Sequence, residues 1–356
     1  MKPALRVVAS GLMTTLQDLG RPGYQRLGIP VSGALDAVGL RIANTIVGNP
    51  AHTGALEIAY RGPELVVEAE SVRVAFAGAT APMEILSEVG ASGGQRTQPW
   101  QSLRLNRGQV LRIGALSGSA VGYLAIEGGF DIAPVLGSQS TYARAGLGGI
   151  EGRALRPGDL LPLQRAAAEA REERMLPPPD LAPPARFRVV FGPQDDHFSD
   201  RGQRMLVEAE YTVSPASDRM GMRLAGPMLE HLEGCNNIVS DGIAPGSIQV
   251  PGNGLPIVLL ADRQTTGGYP KIATVISADL PALGRLVPGA VVRFAAVGID
   301  QAEAAHRQLA STIAALPQQI VAACRVLAID EAALMASNLV SGTVSALETD
   351  WEVPPT

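Results

Sequence analysis

The 356-residue chain sets 34 aspartates and glutamates against 29 lysines and arginines, a formal net charge of −5, and 46% of its residues are apolar. That apolar fraction excludes intrinsic disorder, and an acidic chain without a basic block is a poor partner for nucleic acid or an anionic membrane. Glycine (40) and proline (27) exceed ordinary usage without a collagen-like period, which places them in the turns of a strand-rich globular protein.

In chain order, the amino terminus turns polar within a dozen positions and lacks a signal peptide's apolar region. No uncharged run reaches the roughly 18–20 apolar residues of a membrane helix, so a cytoplasmic location is expected. Strand signals follow at LRVVAS (5–10), ELVVEAE (64–70), VRVAFAG (72–78), SLRLNRG (102–108), VLRIGAL (110–116) and VGYLAIEGG (121–129). Their spacing is that of barrels or sandwiches, without the helices of a parallel sheet. One helix interrupts them at 35–47, with Asp36 near its start and Gly48-Asn49-Pro50 ending it.

A charged, alanine-rich stretch (164–174) leads into MLPPPDLAPPAR (175–186), whose prolines suggest a semi-rigid linker. Strands resume at FRVVFGP (187–193), SIQV (247–250), PIVLLA (256–261), IATVIS (272–277) and AVVRFAAV (290–297). From 300 to 324 the pattern is helical, with a kink or break expected at Pro317. The halves echo one another: 123–130 resembles 258–269, and 155–163 resembles 286–294. The expected organisation is a first β-barrel domain (1–175), a linker (176–186), a second barrel domain (187–300), a helical segment (301–325) and an acidic extension (326–356). That extension carries five carboxylates and no lysine or arginine, leaving 29 acidic against 29 basic residues in the body. A formally neutral body tends to associate.

Several chemistries are excluded by inspection. The only lysines are Lys2 and Lys271; neither provides the Gly-Lys-Ser/Thr of a phosphate-binding loop, and neither lies in a biotin-attachment context. Ser92 in GASGG (90–94) lacks the strand-to-helix setting of a nucleophile elbow and reads as a hairpin loop. Four scattered histidines and two distant cysteines give no metal spacing, so no metal is expected.

The densest polar stretch, 241–279, carries Asn253, Asp262, Arg263, Gln264, Thr265, Thr266, Tyr269 and Lys271 in loops between strands. Amides, hydroxyls and a phenol offer both donors and acceptors, which suits an amide- or urea-like substrate whose N–H and C=O must both be paired. Lys271 stands out in a chain that otherwise uses arginine, because a buried lysine can lose its proton and an arginine cannot. Arg219, in SDRMGMRL (217–224), is a candidate carboxylate or phosphate clamp.

These motifs, together with TTLQDLGRPGYQRLGIPVSGALDAVGLRIAN (14–44), STYARAGLGGIEGR (140–153), GPQDDHF (192–198) and QVPGNGLPIVLLADRQTTGGYPKIATVISADL (249–280), resemble the biotin-dependent carboxyltransferase family of the allophanate hydrolase subunit 2 type. The resemblance covers about residues 5–320. It implies a mainly β fold of two linked cyclophilin-like β-barrel domains with a few helices. It also implies an active site completed by a companion of the 5-oxoprolinase B type or the allophanate hydrolase subunit 1 type. A third protein of the 5-oxoprolinase A type is expected.

For a chain standing alone, the 5-oxoprolinase branch, with this chain in the C-type position, is the leading expectation, with ATP bound by or shared with partners. The alternatives are carboxyl transfer to urea or a related amide, with biotin on another chain, and a non-catalytic antagonist of a kinase-inhibitor-like partner. Under this resemblance Gln264, Thr266 and Tyr269 surround the amide, and Lys271 stabilises oxyanion or phosphate charge. Arg219 holds a substrate carboxylate, Asp262 is a base or an orienting partner of Lys271, and Gln249, Asn253 and Thr265 complete the substrate-binding set.

Overall fold

The structure, a computed structural model, describes residues 2–323 and is mainly β. One antiparallel sheet has the order Leu160–Pro162, Ala4–Ala9, Glu64–Val67, Val110–Ile113, Met83–Leu86, Gln95–Thr97. A second has the order Met13–Gln17, Ala55–Ala59, Val121–Ile126, Ser71–Ala77, Ser102–Asn106. Every residue of Val121–Ile126 is buried because both faces of that strand are covered. Leu124 and Ile126 join Leu16, Ile58 and Phe76 in the core shared with the first sheet, where Leu5, Val7 and Leu111 meet them. Val121, Tyr123 and Ala125 point the other way, against Leu40, Ala43 and Ile46 of a helix. Two-sided burial explains the nearly continuous apolar run of that strand.

The helix is Ala37–Val47, slightly shorter than its periodicity suggests. The Asp36 carboxylate caps it by accepting from Val38 N (3.0 Å) and Gly39 N (3.1 Å), and Gly48 ends it in the left-handed conformation. Gly39 is required by packing: a Cβ there would lie 2.7 Å from Asp36 Oδ2 and 3.0 Å from Tyr123 Cδ2.

Two strands that apolar patterning does not reveal, Met13–Gln17 and Ala55–Ala59, carry polar residues on buried faces. Gln17 Nε2 donates to Thr15 Oγ1 and Thr141 O, both at 3.0 Å, and Glu57 accepts from Tyr123 Oη at 2.6 Å. Buried polar side chains with partners hide a strand from a hydrophobicity count. Helix Asp200–Glu208 is likewise unanticipated, and 90–94 forms the hairpin loop between Met83–Leu86 and Gln95–Thr97.

After residue 186 an eight-stranded sheet runs in the order Val291–Val292, Tyr211–Val213, Gly221–Ala225, Ile257–Leu259, Ser247–Gln249, Lys271–Val275, Phe187–Phe191, Phe294–Ala296. Its two edge strands are one stretch of polypeptide interrupted only at Arg293, so the sheet curls into a nearly closed barrel around Phe187, Tyr211, Ile248, Val258 and Phe294.

The charged stretch before the prolines is tied down. Arg73, with its side chain fully buried, pairs with Glu127 and Glu173 at 3.0 Å each, and Arg171 reaches Glu127 at 3.1 Å. Leu176, at the start of the proline-rich segment, is buried with Trp100. Helix Ile299–Ala315 gives way at Leu316–Gln319 to a 3-10 turn containing Pro317, in line with the expected break. The extension 326–356 lies outside the described residues.

Candidate active site

Two groups of polar residues draw on the predicted set, and they do different things. The first surrounds Arg219. Its Nε donates to Asp262 Oδ2 (2.8 Å), its Nη2 to Asp262 Oδ1 (3.2 Å) and to Gly33 O (2.6 Å), and its Nη1 to Glu57 Oε1. Ser32 Oγ also donates to Asp262, and Asp262 N donates to Arg219 O (2.9 Å). Burial alone would lower the Arg219 pKa, but Glu57 and Asp262 outweigh it and raise the pKa above its ordinary value. The guanidinium is therefore a permanent cation with its partners already in place.

This arrangement corrects two expectations. Arg219 is not a free clamp for a substrate carboxylate, because two protein carboxylates and a carbonyl occupy its donors. Asp262 is not the partner of Lys271, because it is held by Arg219 and Ser32. The group instead ties the 32–57 region to the barrel, joining residues 162 positions apart in the case of Glu57 and Arg219.

The second group lies on the barrel. Lys271, with its side chain 1% exposed, opens strand Lys271–Val275 opposite Gln249. The short strands Asp241–Gly242 and Thr266–Gly267 pair antiparallel, and Asp241 Oδ2 lies 3.0 Å from Lys271 Nζ. Gln194, from the GPQDDHF motif, braces the pair. It accepts from Lys271 N (3.1 Å), gives its own N–H to Lys271 O (3.1 Å), and donates from Nε2 to Asp241 (3.2 Å). The hydrogen bond from Lys271 is the largest influence holding the Asp241 carboxyl below its usual pKa. Asp241, Gln194 and the cleft arginines Arg144 and Arg223 are not singled out from the sequence. The signals present are the ordered motif GPQDDHF, which holds Gln194, and the polar stretch 241–279, which Asp241 opens.

Gln249, the register partner of Lys271, leads into a cleft of about 600 Å³ that is also lined by Gln264, Asn253, Tyr269, Arg144 and Arg223 among others, while Lys271 and Asp241 lie outside its lining. Gln264 Nε2 donates to Gln249 Oε1 at 3.3 Å, and the Gly267 backbone comes close to both amides: a Cβ there would meet Gln249 Nε2 at 2.9 Å. Gln249 is buried, while Asn253 and Tyr269 are exposed at the rim. Thr265 is used through its carbonyl, which accepts from Ile243 N (3.0 Å), and Thr266 is exposed on its two-residue strand. The structure thus brings Gln249, Asn253, Gln264 and Tyr269 to one cleft beside Lys271, and places Arg219 and Asp262 in the junction. A wall of primary amides can pair both the N–H and the C=O of a small amide, and each amide left unpaired by a wrong ligand costs about 1–3 kcal/mol.

Comparison with known proteins places the chain in a family. Residues 27–296 match the family model described as carboxyltransferase domain, subdomain A and B. The chain is 37% identical over 299 residues to the C subunit of 5-oxoprolinase from Escherichia coli (strain K12), covering 84% of this chain and 93% of that one. It is 32% identical over 313 residues to urea amidolyase of Saccharomyces cerevisiae, covering 82% of this chain but only 16% of that much longer one. The crystal structure of the K. lactis urea amidolyase superposes with a TM-score of 0.78 at 29% identity, covering 88% of this chain and 20% of that chain.

Proposed function

The chain belongs to the carboxyltransferase domain family, subdomains A and B, and on that premise we propose that it is a subunit of an ATP-dependent 5-oxoprolinase, opening 5-oxo-L-proline to L-glutamate. The observation that carries this reading is its nearly end-to-end correspondence with a protein named as the C subunit of 5-oxoprolinase. The companion is of the 5-oxoprolinase B type, with a third protein of the A type, and the assembly is cytoplasmic.

A lactam is an unreactive amide. Opening it requires activation at oxygen or nitrogen and donors already placed for the developing charge. Gln249 and Gln264 pair the lactam N–H and C=O, with Asn253 and Tyr269 at the rim. Lys271, fixed by Asp241 and Gln194, positions this wall and supplies positive potential behind it. Lys271 is buried against Asp241 and so is committed within the fold. ATP is therefore assigned to the companion proteins, and no step is routed through it on this subunit.

A second reading, carboxyl transfer to urea or a related amide, is favoured by the likeness to the urea amidolyases and requires biotin on another chain. Reconstitution with the companion proteins separates the two. Glutamate release dependent on ATP and 5-oxoproline supports the first reading. Dependence on a biotinylated carrier, bicarbonate and urea would replace it with the second. A stable complex with neither activity would favour a binding-only antagonist.

A further inference from the structure

With Arg219 committed to Glu57 and Asp262, a substrate carboxylate needs another cation. Two arginines line the amide-walled cleft. Arg144 comes from the short 3-10 turn Ala143–Ala145 and lies 3.5 Å from Asp218, which also lines the cleft. Arg223 projects from strand Gly221–Ala225, is exposed, and has no carboxylate partner among the described residues. Asp218 is itself tied to the backbone, accepting from Met220 N (2.8 Å) and Gly221 N (3.1 Å), so it stays on the Arg144 side. The charged lining is thus two guanidinium groups against one carboxylate, which leaves one cation over.

We propose that Arg223 is the specificity residue of this cleft, binding the carboxylate of a small ligand that is both an amide and a monoanion. The inference deepens the 5-oxoprolinase reading and rests on it for the ligand's identity. One unpaired cation beside a wall of primary amides matches a lactam acid in charge and in hydrogen-bonding pattern. Urea, being neutral, leaves that cation without a partner. Arg223 therefore distinguishes the two substrate classes of the family within this chain.

The test uses the full chain assembled with its companions and two probes that differ only in the carboxylate, 5-oxo-L-proline and 2-pyrrolidinone. Phenylglyoxal labelling, read peptide by peptide by mass spectrometry, should show Arg223 protected roughly tenfold by saturating 5-oxo-L-proline, and unprotected by 2-pyrrolidinone or urea. In turnover, Arg223→Gln should raise KM for 5-oxo-L-proline roughly tenfold or more with a smaller change in kcat, and Arg223→Lys should recover part of the loss. Equal labelling with and without the acid, or an unchanged KM in Arg223→Gln, overturns the assignment. If the wild-type complex releases no glutamate while 5-oxo-L-proline still protects Arg223, the 5-oxoprolinase reading fails and the anion site stands.

Discussion

Arg219 and Arg223 lie four residues apart on one short segment, yet they belong to different parts of the molecule. The first is enclosed by Glu57, Asp262 and the Gly33 carbonyl; the second faces an open cleft of amides whose one lining carboxylate, Asp218, is paired with Arg144. The difference shows that the task of an arginine is decided by what already occupies its donors. A saturated, buried guanidinium joins parts of the fold. An exposed, unpaired one on a cleft wall is available to a ligand.

The contrast is tested most forcefully at the junction. Arg219→Ala leaves two buried carboxylates without their cation and should cost about 3–5 kcal/mol, seen as a large fall in melting temperature or loss of soluble protein. A variant that melts like the wild type would remove the junction from the structural account. At the Lys271 site the expectation reverses. Lys271→Met keeps the aliphatic stem in its place, so the fold should survive, while turnover of the reconstituted complex should fall by about a hundredfold. Full activity would take Lys271 out of the site.

Smaller effects are expected on the cleft side. Arg144→Gln should raise KM for 5-oxoproline only a few-fold, roughly two to five, because that guanidinium is exposed and shared with Asp218. A loss as large as that of Arg223→Gln would make the two arginines equal partners. The smallest signal is in the pH dependence of stability. The Asp241 pKa is lowered in the folded protein, so its pairing with Lys271 stabilises fully above the ordinary aspartate pKa of about 3.9. That contribution is lost as pH falls through the lowered folded value. Unfolding of wild type and Asp241→Asn, compared from neutral pH to pH ~3, should therefore converge at the acid end. A constant offset would separate the carboxylate's charge from its effect.

Much of the fold is legible in the amino-acid order alone. The strand runs 121–129, 187–193 and 272–277, the capped helix after Asp36 and the break at Pro317 follow from apolar period and from proline and glycine chemistry. Among the elements that escape are Met13–Gln17 and Ala55–Ala59, where Gln17 and Glu57 replace apolar contacts with hydrogen bonds, together with strands Met83–Leu86, Gln95–Thr97, Tyr211–Val213 and Gly221–Ala225 and helix Asp200–Glu208. The site is legible as a region. The 241–279 stretch does hold the cleft amides and Lys271, but SDRMGMRL cannot say which of its arginines is free. That depends on Glu57, far along the chain, and on Asp262; in the same way only a two-residue strand pairing brings Asp241 over Lys271. Local sequence carries residue types and spacing; partners across the fold come only with the tertiary structure.

The single stretch 291–296 serves as both edges of the eight-stranded sheet, so the seam is sewn last in the order of synthesis. Until those residues leave the ribosome, Tyr211–Val213 and Phe187–Phe191 each lack a neighbour and present unpaired backbone groups. The growing chain is then most exposed to faulty strand pairing, and a shielding factor or a rapidly arriving companion would matter most in that interval.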